Sequence, residues 1–146
     1  MRNSKEFKNI RRIIDANINR IKEGLRVCEE ITRFLLESKS LTAEFKALRH
    51  RIDSVIKKIP DNCSLIKERR SCQDVGKDIR ANELKRKGAK DIFFANIQRV
   101  KESLRVMEEF SKLFNTRIAL DFKNLRYYAY EIEKKAAQRL ASLRNP

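Results

Sequence analysis

Residues 16–30 read ANINRIKEGLRVCEE and residues 95–109 read ANIQRVKESLRVMEE, so eleven of fifteen positions are identical at a constant offset of 79. A second match follows each copy in the same order, EFKALRH at 44–50 and DFKNLRY at 121–127, at an offset of 77. Ordered matches at nearly constant spacing mark a duplicated supersecondary unit. In the first copy Ile14, Ile18, Ile21, Leu25, Cys28 and Leu35 follow steps of three and four, with Thr32 in the remaining slot; Ile97, Val100, Leu104, Met107 and Phe114 repeat the pattern. That spacing predicts an amphipathic helix in each copy. Leu41, Phe45, Leu48, Ile52, Val55 and Ile59, then Ile118, Phe122, Leu125, Ala129 and Ile132, predict a second helix in each. The intervening turns, Glu37-Ser38-Lys39-Ser40 and Asn115-Thr116, are short enough to force antiparallel neighbours. Ser4 and Asp91 are the candidate N-caps of the two long helices.

The expected fold is therefore all-α: a four-helix bundle from a duplicated helical hairpin, with approximate internal two-fold symmetry. It forms one domain over 1–146, with the first hairpin at 1–60, an insert at 61–90 and the second hairpin at 91–146. Pro60 closes the first hairpin. The insert is highly charged and aperiodic, and reads as a loop with one or two short helical turns. Loops that long inside a compact domain are usually functional or disordered.

Composition agrees. The chain has 146 residues but only 3 Gly and 2 Pro, too few for the turns of a large sheet. None of Gly24, Gly76 and Gly88 opens a GxxxxGK[ST] phosphate loop. Three Cys without a CxxC pair (Cys28, Cys63, Cys72) and a single His50 argue against zinc or a disulfide framework, and fit a reducing cytoplasm. No apolar run approaches the roughly 18 residues of a membrane span, and the opening MRNSKEFKNIRR is not a signal peptide. A net charge of +15 suggests a polyanionic partner. The excess is shared by both copies and the insert, and Tyr127, Tyr128 and Tyr130 form the one aromatic cluster, so base-stacking recognition of nucleic acid is disfavoured.

On a helical wheel Asn17, Arg20 and Gly24 fall inside the apolar arc of the first helix, and Asn96, Arg99 and Ser103 inside that of its counterpart. Buried polar groups and a mid-helix Gly each destabilise, the Gly by about 1 kcal/mol. Two readings fit. One is a polar clamp between the copies, fixing their register. The other is a pocket in which Arg20 and Arg99 present guanidinium forks to phosphate, Asn17 and Asn96 orient a ligand, and Gly24 and Ser103 leave space. Glu23 and Glu102 lie beside those arginines, while Arg26 and Arg105 sit four residues before Glu30 and Glu109. These are either solvated ion pairs or, given the repetition of RxxExLRVxEE, a magnesium-holding Glu23 or Glu102 with a phosphate-holding Arg26 or Arg105. In the insert, Arg69, Arg70, Asp74, Gly76 and Lys77 combine cations, a carboxylate and a permissive turn. Cys28 reads as core, and His50 as an aromatic-packing position matched by Tyr127.

Over RIIDANINRIKEGLRVCEEITRF (12–34), DVG (74–76) and ANIQRVKESLRVMEEFSKLF (95–114) the chain resembles the small, single-function hydroxymethylpyrimidine phosphate kinases of bacterial thiamine biosynthesis. Related domains are often fused in front of thiamine phosphate synthase; this copy reads as standalone. The resemblance implies transfer of the γ-phosphoryl group of ATP to 4-amino-5-hydroxymethyl-2-methylpyrimidine phosphate, with ATP and magnesium as cofactors. The expected catalytic residues are Arg20, Glu23, Arg99 and Glu102. Asn17, Arg26, Asn96, Arg105, Arg69 and Gly76 would bind substrates, and Glu23 and Asp74 the metal. Before DVG the family pattern is Arg-Asp-Thr where this chain has Arg69-Arg70-Ser71, so an acidic member is absent. Ser103 in place of Gly24 suggests that the halves diverged, one toward ATP and one toward the pyrimidine. The expected partners are small molecules, with a functional link to thiamine phosphate synthase, as a monomer or homodimer. Competing readings are a helical chorismate-mutase-like enzyme, to whose opening segment Arg11-Arg12-Ile13-Ile14-Asp15 is similar, and a basic helical RNA-binding or interaction module.

Overall fold

The computed structural model describes residues 4–78 and 84–143. Among them there are four long α-helices, α1 (Ser4–Glu30), α2 (Lys39–Ile56), α3 (Ala89–Ser111) and α4 (Thr116–Leu140), and no strand. A π-helical turn, Ile31–Leu35, ends α1, and two 3-10 turns, Asn62–Glu68 and Ser71–Gln73, lie in the insert. The helices touch in a ring, α1 on α3, α3 on α4, α4 on α2 and α2 on α1. The apolar stripes read from the sequence line its interior, with Phe45, Phe93 and Phe122 fully buried and Phe93 edge-on to Phe45 at 6.1 Å. Burying one such ring stabilises by about 1.5–3 kcal/mol.

α1 and α3 run antiparallel. Ile10 and Ile13 share a groove with Phe110 and Leu113, while Gly24 lies against Asn96 and Val100. A Cβ at Gly24 would sit 2.7 Å from Val100 Cγ2 and 3.0 Å from the Asn96 carbonyl oxygen. Gly24 therefore does not open ligand space as the pocket reading expected. Its missing side chain is what lets two helix backbones approach, and Val100 fills the room.

The π-turn corrects a second expectation. Its Leu36 N–H donates to the Ile31 carbonyl at 3.0 Å, five residues back, so one extra residue enters the turn and the register slips. Leu35, read as core, is consequently 55% exposed, and Leu36 is buried instead. Thr32 Oγ1 donates to the Glu29 carbonyl at 2.9 Å and accepts from Thr42 Oγ1 at 3.1 Å, which ties the turn to α2. α2 starts on Ser38, whose side chain accepts from the Leu41 N–H. α4 starts on Asn115, which accepts from the Arg117 and Ile118 N–H groups. The cap of α3 is Gly88; Asp91 lies in the first turn and accepts from the Lys87 N–H at 2.9 Å. Ser4 is the first helical residue described.

The insert is docked along α1. Arg11 Nη2 donates to the Asp61 carbonyl at 3.1 Å and to Ser64 Oγ at 2.6 Å. Leu65 is buried against the core. Asp61 takes up a left-handed conformation, φ 54°, to turn the chain after Pro60.

Candidate functional site

One open cleft of about 710 Å³ lies between α1 and the docked insert. α1 lines it with a stripe at helical spacing, Asn9, Arg12, Ala16, Asn17, Arg20 and Glu23; the insert adds Arg69, Arg70, Ser71 and Asp74, and α3 adds Val106. The insert reaches this face through a two-pronged ion pair. Arg69 Nε and Nη2 donate to Asp15 Oδ2 and Oδ1, both at 2.8 Å. Asp15 is 7% exposed, so its charge needs that partner. The same hydrogen bonds raise the affinity of Arg69 for its proton. Two of Arg69's donor groups are thus occupied by protein.

Among the described residues, none of the ion pairs formed involves Arg12, Arg20, Arg70 or Glu23. Arg20 Nη1 makes a 3.5 Å contact with Asn17 Oδ1, and Asn17 Nδ2 donates to the Ile13 carbonyl at 2.8 Å, which holds the amide along its own helix. Asp74 Oδ1 accepts from the Gly76 N–H at 2.8 Å. Gly76 itself is exposed and stands outside the lining residues.

Of the residues singled out from sequence, Asn17, Arg20, Glu23, Arg69 and Asp74 come together here. Those from the second copy do not join them. Asn96 Nδ2 donates to the Ile92 carbonyl at 2.8 Å, matching Asn17, but neither Asn96 nor the exposed Arg99 lines the cleft. Glu102 and Arg105 border a separate cleft of about 340 Å³ with Lys101, Arg126 and Tyr130. The polar clamp between copies is not formed either, because each Asn bonds back within its own helix.

Arg26 and Arg105 serve buried carboxylates. Glu29 is 2% exposed and meets Arg26 at 3.6 Å and Arg49 at 3.4 Å. In the second copy Glu108 is 4% exposed and meets Arg105 at 2.8 Å and Arg126 at 3.0 Å. Burial pushes the Glu108 carboxyl upward, but hydrogen bonds from Arg105 and Arg126 outweigh it and leave its pKa below the ordinary range. Arg49 and Arg126 are the matched arginines of EFKALRH and DFKNLRY, and the Nε of each is buried without a hydrogen-bond partner. The expected i,i+4 partner of Arg26, Glu30, stays exposed, while Arg105 does reach Glu109 at 3.0 Å. Cys28 is core as read. Burial, then the charge of Glu133, pushes its thiol up to about 12.

Sequence reasoning passed over Asp15, Asn9, Arg12 and Asn19 as site residues, although Arg12 and Asp15 begin the very motif that was quoted. The wheel carried no signal for Asp15, which it places about 160° from Asn17 and outside the apolar arc; Asp15 is covered because the insert folds back over it and brings Arg69.

Magnesium needs few protein ligands, one or two carboxylates with substrate phosphates completing the octahedron. Among the described residues no cluster of three His, Cys, Asp or Glu forms a closed metal cage. Glu23 of α1 and Asp74 of the insert both line the cleft. No described helix is long and apolar enough to cross a membrane.

Comparison with known proteins places the chain in a family. The chain is 39% identical over 137 residues to a thiamine-phosphate synthase of Synechocystis, covering 90% of this chain and 38% of that protein. It is 38% identical over 130 residues to that of Thermosynechococcus vestitus, covering 88% and 36%, and 32% identical over 139 residues to that of Rhodopirellula baltica, covering 94% and 37%. The chain thus spans less than two fifths of the length of these curated relatives. No solved structure matches it. The ThiD2 family profile matches residues 12–135, which include the whole cleft stripe from Arg12 onward, both copies of the repeat and the insert: the chain belongs to the ThiD2 family.

Proposed function

We propose that the α1 cleft carries out phosphoryl transfer from ATP to hydroxymethylpyrimidine phosphate, giving the diphosphate used in thiamine biosynthesis. The observation that carries the reading is the gathering of three cations without ion-pair partners among the described residues, Arg12, Arg20 and Arg70, with the carboxylates Glu23 and Asp74 in one open cleft. Two polyanions must be brought together in this reaction, and their mutual repulsion is its main obstacle. The phosphate of the acceptor is a dianion above its second pKa near 6, so no strong general base is needed. One of its oxygens bonds to the γ-phosphorus while the bond from that phosphorus to the β-bridging oxygen breaks. ADP leaves with the electron pair, and no proton is transferred. Arg12, Arg20 and Arg70 supply preorganised positive charge and directed N–H donors, and Asn17 and Asn19 fix orientation. Glu23 and Asp74 would hold magnesium, which when bound neutralises part of the polyphosphate charge.

The structure of each half supports a duplicated hairpin with approximate internal two-fold symmetry. The Asn17–Ile13 and Asn96–Ile92 bonds, and the Glu29–Arg49 and Glu108–Arg126 pairs, are the same contacts made twice. The insert breaks that symmetry, because its turn Asn62–Glu68 packs on α1 of the first copy. The thiamine-phosphate synthase relatives contain a matching segment within a longer protein, which supports a functional link between the two activities.

ADP release with ATP, magnesium and either the phosphorylated pyrimidine or its free alcohol tests the reading. Turnover is expected with the phosphate and little with the alcohol, because the arginines meant for the acceptor phosphate would be left unpaired. No ADP with either acceptor refutes it. Magnesium-independent conversion of chorismate would instead favour the mutase reading.

A further inference from the structure

The cleft continues at one end into an apolar groove of about 460 Å³ between the start of α1 and the end of α3. Asn9 and Ile13 belong to both, and Ile10, Phe110 and Leu113 supply the apolar walls. At the other end stands Glu23. Arg12 and Arg20 lie between these limits, eight residues apart on one helix, so their Cα atoms are about 12 Å apart along the axis. The insert's Arg69, fixed by its fork on Asp15, enters between the two α1 arginines in sequence order.

We infer that both substrates occupy the first-copy cleft end to end, in a fixed order. The ring of the acceptor lies in the Ile10–Ile13–Phe110–Leu113 groove with its phosphate on Arg12, and the magnesium-bound triphosphate lies on Arg20 and Glu23. The inference rests on the kinase reading and adds the order of binding sites to it. The chemistry is directional. A small methylated heteroaromatic ring gains by leaving water for an apolar wall, whereas a triphosphate does not. Of the α1 carboxylates that line the cleft itself, Asp15 is taken by Arg69 and Glu23 stands at the end away from that groove, whose lining adds Lys5 and Glu6 at its rim. Arg12 is therefore the residue that reads whether the acceptor already carries a phosphate. Asp15 and Arg69 are positioning residues: they hold the insert so that Arg70 and Asp74 face the gap between the two anions. In this arrangement the second copy contributes Val106, Phe110 and Leu113 to the apolar walls and no substrate cation.

The test is calorimetric titration of the phosphorylated pyrimidine alone, and separately of ATP with magnesium, into wild type, Arg12→Ala, Arg20→Ala and Leu113→Asp, with each fold checked by circular dichroism. Loss of one charge-assisted contact corresponds to a weakening of at least about tenfold. Arg12→Ala and Leu113→Asp are expected to weaken the pyrimidine phosphate by that factor and to leave ATP within about twofold; Arg20→Ala is expected to do the reverse. Arg12→Gln serves if the alanine variant does not fold. Exchanged effects, equal loss of both ligands in every variant, or no loss overturn the inference. Wild type that releases ADP normally while Arg12→Ala binds the pyrimidine phosphate unchanged refutes the order of sites and leaves the kinase standing. Wild type that binds both ligands in the stated order yet releases no ADP refutes the kinase and leaves the sites.

Discussion

Replacing Gly24 by Ala sets two effects of opposite sign against each other. In an uncrowded helix interior the change stabilises by about 1 kcal/mol, through helix propensity. Here the added methyl would sit 2.7 Å from Val100 Cγ2 and 3.0 Å from the Asn96 carbonyl oxygen. Val100 is fully buried and β-branched, so it has essentially one χ1 rotamer in a helix. The carbonyl oxygen is part of the α3 backbone. Neither can swing aside, and α1 must move off α3. Such overpacking costs about 1–3 kcal/mol. The net effect is a destabilisation of about 1 kcal/mol, with an upper bound near 2 and a fall in Tm of about 2–4 °C per kcal/mol for a chain of this size. Urea unfolding followed at 222 nm reads it, provided that the m-value is unchanged. Because Val106 forms the α3 wall of the cleft, the same displacement should weaken ligand binding. A Gly24→Ala protein that is more stable by about 1 kcal/mol would refute the close approach of α1 to α3.

Asp15→Asn removes the charge that holds Arg69, so the insert should detach more often and trypsin should cut after Arg69 or Arg70 several-fold faster; an unchanged cleavage rate refutes the fork as the anchor. The depressed Glu108 carboxyl contributes stability that is present above about pH 4.3, the ordinary Glu value, and is lost as pH falls through the lower folded value. The Tm difference between wild type and Glu108→Gln should therefore shrink from pH 7 toward pH 3, and a difference that grows on acidification contradicts the pairing with Arg105 and Arg126. Cys28 should resist iodoacetamide in the folded protein while the exposed Cys63 and Cys72 react, and mass spectrometry should find Cys28 alkylated after denaturation alone.

The helices were legible because burial imposes a period. Every apolar position assigned to α2 and α4 from spacing alone is buried. The same logic failed at Leu35, where a π-turn adds a residue that no propensity announces and Leu36 takes the core position. For the site, polar residues inside an apolar arc pointed to Asn17 and Arg20, and both line the cleft. Gly24 serves packing, and Arg26 and Arg105 neutralise Glu29 and Glu108 from a neighbouring turn. The needed clue was already in the repeat, since each long helix brings a buried Glu and each second helix brings its Arg, Arg49 or Arg126. Asp15 and Arg69 are 54 residues apart in sequence, and their pairing depends on how the insert folds back along α1. Nothing in local spacing encodes that return. Repetition also suggested one pocket shared by Arg20 and Arg99, whereas the cleft is lined by Arg20 and not by Arg99, because the docked residues of the insert pack on α1, which is a property of connectivity and not of the repeated motif.

The reading proposed for this cleft is transfer of a phosphoryl group from the phosphoanhydride of ATP to a phosphate monoester. Its most direct test is to incubate the chain with γ-labelled ATP, magnesium and the phosphorylated pyrimidine, and to find where the label goes. The account predicts that the label appears in the terminal phosphate of a pyrimidine diphosphate, one for each ADP formed, and that Arg20→Ala abolishes the transfer while the protein stays folded. Label recovered as inorganic phosphate alone, or full transfer by a folded Arg20→Ala protein, would contradict it.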